Sequence, residues 1–172
     1  MPGRGRYPPD VTESTWLTTE EIATWRLYWS VTPLIQDLLD RQLQAESGIS
    51  HVSYSVLVVL SESEPQRLRM TDLAAQLRIG RSRLTYVVTQ LEARGWVRRE
   101  DAEADGRSHD AVLTPEGLAA LERAAPGHVR TVRSAVFARI TPEQVGQLHD
   151  IYEQLLEGLE EGPAASRPPW RR

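Results

Sequence analysis

The chain has 172 residues, 40% of them hydrophobic, enough for one respectable core and better matched to one domain with appendages than to two domains. It contains no run of about 18 apolar residues and no charged start leading into an apolar stretch and a small-residue cleavage site, so a cytoplasmic protein without membrane span or signal peptide is expected. Cysteine is absent, which excludes disulfides, thiol redox sensing and thiolate metal sites.

The net charge is -4, yet it is unevenly spread, and all twenty positive charges are arginine. Between Arg67 and Arg99, eight arginines stand against Asp72 and Glu92, a net of +6 that leaves -10 for the remainder. An electropositive module in an acidic chain suits a phosphate-binding face, because phosphate neutralisation supplies most non-specific DNA affinity. A solvated charged face is the plainer reading of the same run.

Both ends are rich in helix breakers, and segments 1–17 and 162–172 are expected to be flexible. Thr18 and Glu21 form a capping box that opens a long first helix, in which Ile22, Trp25, Trp29, Leu38, Leu39 and Leu43 recur at helical spacing up to Gly48. Pro33 inside it predicts a kink near Trp29. Ser50 is placed to cap a second helix that ends at the Glu62–Pro65 break, and Thr71 to cap a short third one. After a turn at Ile79–Gly80, a fourth helix runs from near Arg81 to Gly95, and this pair is a helix-turn-helix candidate.

From Trp96 the pattern changes to two short strands, Trp96–Glu100 and Ser108–Leu113, joined by an acidic loop with an Asp105-Gly106 turn. Such a hairpin would be a wing. Thr114-Pro115-Glu116 and Thr141-Pro142-Glu143-Gln144 then open two further helices, the first predicted to be interrupted at Pro126-Gly127.

On the fourth helix, Leu84, Val87, Val88 and Leu91 fall at i, i+3, i+4 and i+7 and define a buried stripe. Ser82, Tyr86, Thr89 and Gln90 project away from it, and Arg81, Arg83 and Thr85 flank it near the helix start. A recognition helix reads base edges in the major groove from its N-terminal residues, and Arg83 is the first choice for that role. At the loop tip, Arg107 is placed to enter the minor groove, oriented by Asp105. Taken singly, each feature is more often an ordinary amphipathic surface helix or a local surface ion pair, and it is their combination that favours DNA binding.

Leu91-Glu92-Ala93-Arg94-Gly95-Trp96-Val97-Arg98-Arg99, then Asp105-Gly106-Arg107, then Leu113-Thr114-Pro115-Glu116-Gly117 together resemble the core of the MarR family of bacterial transcriptional regulators. The resemblance covers roughly residues 18 to 161. It implies a mainly α winged helix-turn-helix fold with a two-stranded wing, and a homodimer held by N- and C-terminal helices on a pseudo-palindromic double-stranded DNA operator. The expected organisation is a first dimerisation helix at 18–48, the DNA-binding lobe at 49–114 and C-terminal dimerisation helices at 115–161. Independently, the apolar surface of the terminal helices, including Val132, Phe137, Ile151, Tyr152, Leu155 and Leu159, exceeds what a small lobe covers, and two-fold pairing would bury it.

The resemblance also implies repression relieved by a small aromatic or phenolic ligand, for which Trp25, Trp29, His51 and Tyr54 are candidate contacts. A tryptophan stripe at helical spacing is more often core or interface than ligand box. No cofactor or metal is expected: His51, His109, His128 and His149 lack paired ligand spacing, and no phosphate loop or nucleophile elbow occurs, so an enzyme is not expected. The alternative is a winged-helix architectural or protein-interaction module without a specific operator.

Overall fold

The computed structural model describes residues 16–101 and 109–160, and the chain divides into two units, residues 1–37 and 38–172. The long first helix, α1 (Thr19–Ser47), begins in one unit and ends in the other. The Thr18–Glu21 capping box forms in both directions: the Thr18 amide donates to Glu21 Oε2 at 2.6 Å and the Glu21 amide to Thr18 Oγ1 at 3.2 Å. α1 is one unbroken helix with Pro33 inside it. In the first unit Trp25 stacks on Tyr28, ring centroids 5.4 Å apart, and both rings are exposed.

The second unit is built round α2 (His51–Ser61), capped by Ser50, whose side chain accepts from the Ser53 amide. Tyr54, Val56, Leu57, Val59 and Leu60 are buried, leaving α2 almost no polar face, and it forms the middle of the core with Leu43, Leu73, Leu84 and Leu91 around it. α3 (Met70–Gln76) and α4 (Arg81–Ala93) pack on it, and the turn between them takes a left-handed φ of 52° at Arg78 rather than at Gly80. Thr71 does not cap α3: the helix begins one residue earlier, at Met70, with no side-chain cap, and the Thr71 hydroxyl bonds Asp72 instead.

The wing strands are β2 (Val97–Asp101) and β3 (His109–Leu113), paired Val97 with Leu113 and Asp101 with His109. A third strand, β1 (Arg67–Arg69), extends the expected two-stranded hairpin to an antiparallel sheet of order β1-β3-β2. α5 (Pro115–Ala135) is capped by Thr114, and α6 (Pro142–Glu160) by the reciprocal Thr141–Gln144 box. The predicted interruption at Pro126-Gly127 does not occur, and α5 runs through both residues. Gly127 is buried where a Cβ would lie 2.8 Å from Gln42 Nε2 and against the Glu46 carboxylate of α1. No described helix is long and apolar enough to cross a membrane.

Candidate nucleic-acid interface

α4 buries the stripe read from its sequence, with Leu84, Val87, Val88 and Leu91 all inside the core. Arg81, Ser82, Arg83, Thr85, Tyr86, Thr89 and Gln90 are consequently exposed on the other side, Tyr86 at 67%. Gly80 precedes the helix in an extended conformation without a side-chain cap, so the first-turn amides and the positive end of the helix dipole have no capping oxygen. Such an end is suited to a phosphate. Thr85 and Thr89 both donate their hydroxyl hydrogens back to carbonyls one turn earlier, at 2.9 Å, which leaves each hydroxyl with acceptor lone pairs only.

Six of the eight arginines of the basic stretch fall into two groups. Arg67 pairs with Glu100 and, at 3.4 Å, with Asp110; Arg98 pairs with Glu100; Arg99 pairs with Glu92. Arg98's hydrogen bond is the main cause holding the Glu100 carboxyl below its usual range, and Arg99's does the same for Glu92. Arg94 donates to the Gly48 carbonyl at 2.7 Å and lies 5.0 Å over the Trp96 ring. Among the described residues, Arg81 and Arg83 make no ion pair, so they are the helix cations left for an external anion. Asp105 and Arg107 lie outside the described residues.

Arg99 ties the wing to the helix. Its amide donates to Glu92 Oε1 at 2.9 Å, its Nε to Glu92 Oε2 at 2.8 Å and its Nη2 to Thr89 Oγ1 at 2.9 Å. The residues singled out on α4 are thus on one exposed face, beside a wing held at fixed register.

Residues 47–108 match the model described as MarR family. The HTH-type transcriptional repressor YetL of Bacillus subtilis (strain 168) is 31% identical over 115 residues, 64% of this chain and 68% of the relative. Among solved structures, Sco3205, a MarR family transcriptional regulator from Streptomyces coelicolor in complex with DNA, is 51% identical with a TM-score of 0.80, covering 89% of this chain and 98% of that one. AbsC, a MarR family regulator from the same organism, is 37% identical with a TM-score of 0.78, over 86% of this chain and 99% of its own.

The chain belongs to the MarR family.

The fold is therefore the MarR winged helix, and the relatives are transcriptional regulators rather than enzymes. Of the four aromatic candidates in this MarR chain, Trp25 and Trp29 fall in the first unit, with ring centroids 5.9 Å apart and both exposed. His51 and Tyr54 fall in the second, where both meet His128 of α5, at 5.8 and 4.4 Å between ring centroids. The His51 amide is held by Asp40 Oδ1 at 2.8 Å. Burial lowers the pKa of both histidines, His51 adding to the effect on His128 and Asp40 opposing it on His51. Burial also raises that of Tyr54, with Glu62 contributing. His128 was not singled out from sequence as a site residue, being 77 positions from His51 and on another helix. Its Nδ1, and both polar atoms of Gln42, are buried without a hydrogen-bond partner among the described residues.

Proposed function

We propose that this MarR family member is a homodimeric, sequence-specific DNA-binding regulator that inserts α4 into the major groove of a pseudo-palindromic operator. The observation that carries the reading is that Arg67, Arg98 and Arg99 of the sheet are paired with carboxylates within the fold, whereas Arg81 and Arg83 stand unpaired at the exposed start of α4. Arg83 is assigned to base readout, with Arg81, Ser82, Thr85, Tyr86 and Gln90 beside it and with Asp105 and Arg107 at the wing tip. Thr85, an acceptor only, suits the amino group of adenine or cytosine. That Sco3205, half identical, has been solved with DNA supports the partner class.

The exposed apolar side chains of α6, Ile151, Tyr152, Leu155 and Leu159, together with Phe137, support a dimer in which residues 18–48 and 115–161 pair. Trp25 and Trp29 are assigned to that pairing face. Repression is the working mode, as in the name of YetL. Relief by a small aromatic ligand is assigned to the His51–Tyr54–His128 cluster, where the unpartnered Gln42 amide and His128 Nδ1 offer polar contacts beside stacked rings. A ligand that prefers the DNA-incompetent arrangement lowers operator affinity by that preference.

Selection of bound sequences from a random duplex library at about 150 mM salt tests the reading. Enrichment of a pseudo-palindrome with half-sites about 10 base pairs apart is expected. Weak, salt-sensitive binding without enrichment would replace it with an architectural or protein-interaction role.

A further inference from the structure

Ser82, Tyr86 and Thr89 fall at i, i+4 and i+7 of α4 and make one exposed row, with Tyr86 and Gln90 among the residues assigned to DNA. Arg99 reaches from β2 onto the end of that row, bonding Thr89 through Nη2 and Glu92 through Nε and its backbone amide. The amide bond to Glu92 Oε1 and the guanidinium bonds to Glu92 Oε2 share the anchoring of the strand to the helix. The side chain does something further: it places a guanidinium beside the outward row and neutralises it there with a single carboxylate.

We propose that Glu92 is a specificity-determining positioning residue, which withholds the Arg99 guanidinium from DNA phosphates and locks the wing strands to α4. The inference rests on the reading that α4 enters a duplex. Two effects follow from the same bond. A guanidinium released at this place is free to contact phosphates on any sequence, so it strengthens random binding without carrying sequence information. An unlocked wing penalises only the operator complex, because base readout and wing contact must be satisfied together there, whereas a random complex makes no such demand. Both effects narrow the gap between operator and random DNA.

Glu92→Gln keeps the shape and the acceptor for the Arg99 amide while removing the charge that holds the guanidinium. Filter or fluorescence titrations would use the duplex selected above and a random duplex of equal length, across a series of salt concentrations. For the variant, random-duplex affinity is expected to rise about fivefold at about 150 mM salt, with the salt slope steeper by about 0.9 for each freed contact. Operator affinity is expected to gain less, so the operator-to-random ratio falls. Asp72→Asn removes one carboxylate from the first turn of α3 without freeing a cation and sets the effect of net charge alone. The double variant Glu92→Gln with Arg99→Gln is expected to return random binding and slope to the wild-type values, with operator affinity falling below the wild-type value.

A Glu92→Gln gain no larger than that of Asp72→Asn would overturn the proposal. So would an equal loss on both duplexes at unchanged salt slope, which is the signature of a purely structural residue. If the wild type enriches no sequence at all, the operator reading fails and takes this inference with it. If the wild type is selective and Glu92→Gln is equally selective, this inference alone falls.

Discussion

His51 at the start of α2 and His128 in the middle of α5 face each other with ring centroids 5.8 Å apart and planes inclined by 23°. Burial lowers both pKa values from the ordinary 6.5, and each positive charge formed there would oppose the next. The unfolded chain binds protons at these rings more readily than the folded one, so stability rises with pH across the window. The contribution is complete above about pH 6.5, the unfolded value, and is lost as pH falls through the lowered folded values. Asp40 beside His51 reduces the effect without reversing its direction. Thermal unfolding between pH 7.5 and about 5.5 should show a falling Tm for the wild type, and a flatter dependence for His128→Phe, which keeps a ring but cannot titrate. Equal slopes for the two proteins would rule out the pair as the source.

Arg83 stands exposed in the first turn of α4, outside the buried stripe, and makes no ion pair among the described residues. Arg83→Ala is expected to cost about 1–3 kcal/mol on the selected operator and to relax preference at one base position in each half-site. Random-duplex binding should change far less. A uniform loss on both duplexes would reassign Arg83 to phosphate contact.

Gly117, in the first turn of α5, has its amide bonded to Thr114 Oγ1 at 3.0 Å, and a Cβ built there would stand 2.0 Å from the Trp96 carbonyl oxygen. That oxygen is backbone and already accepts from the Thr114 amide at 3.1 Å, so it has little room to withdraw. Gly117→Ala should destabilise by about 1–3 kcal/mol, a fall in Tm of about 3–10 °C for a chain of this size. At Gly127 the blocking atoms are the ends of Glu46 and Gln42 side chains, which can rotate away, and alanine gains about 0.8–1 kcal/mol of helix propensity. Gly127→Ala should therefore be much milder. Calorimetry showing the reverse order would contradict this account of the packing.

Ile151, Leu155 and Leu159 follow one another at intervals of four along α6 and are all at least half exposed in the single chain. Leu155→Arg should shift sedimentation at micromolar concentration from dimer to monomer and, by dividing the two half-sites between separate molecules, abolish tight operator binding. A variant that still sediments as a dimer would move the interface away from α6.

Local signals in the sequence read well here. The four-residue stripe of α4, the Ser50 and Thr114 caps and the two reciprocal capping boxes each depend on neighbours within one or two turns, and all of them form. β1 was missed because three residues, Arg67–Arg69, are too few to show alternation, and their strand character comes from pairing with β3 more than forty positions away. The net of +6 between Arg67 and Arg99 overstates the basic face, because Glu100 and Asp110, lying beyond that window, neutralise Arg67 across the sheet and Glu100 neutralises Arg98 along its own strand. Pro126 carries the local chemistry of a helix break, yet α5 runs through it, an outcome that local spacing does not announce. His128 joined His51 and Tyr54 only through the packing of α5 on α2, which no spacing in the sequence announces.

The Arg94 side chain gives the second unit a joint with a single pin. One guanidinium at the tail of α4 holds the carbonyl at the tail of α1 while lying over the ring that begins the wing. The end of α1, the end of α4 and the root of the wing are thus tied through one side chain. That bond adds a polar link at the surface to the apolar one that Leu43 and Leu91 already make in the core.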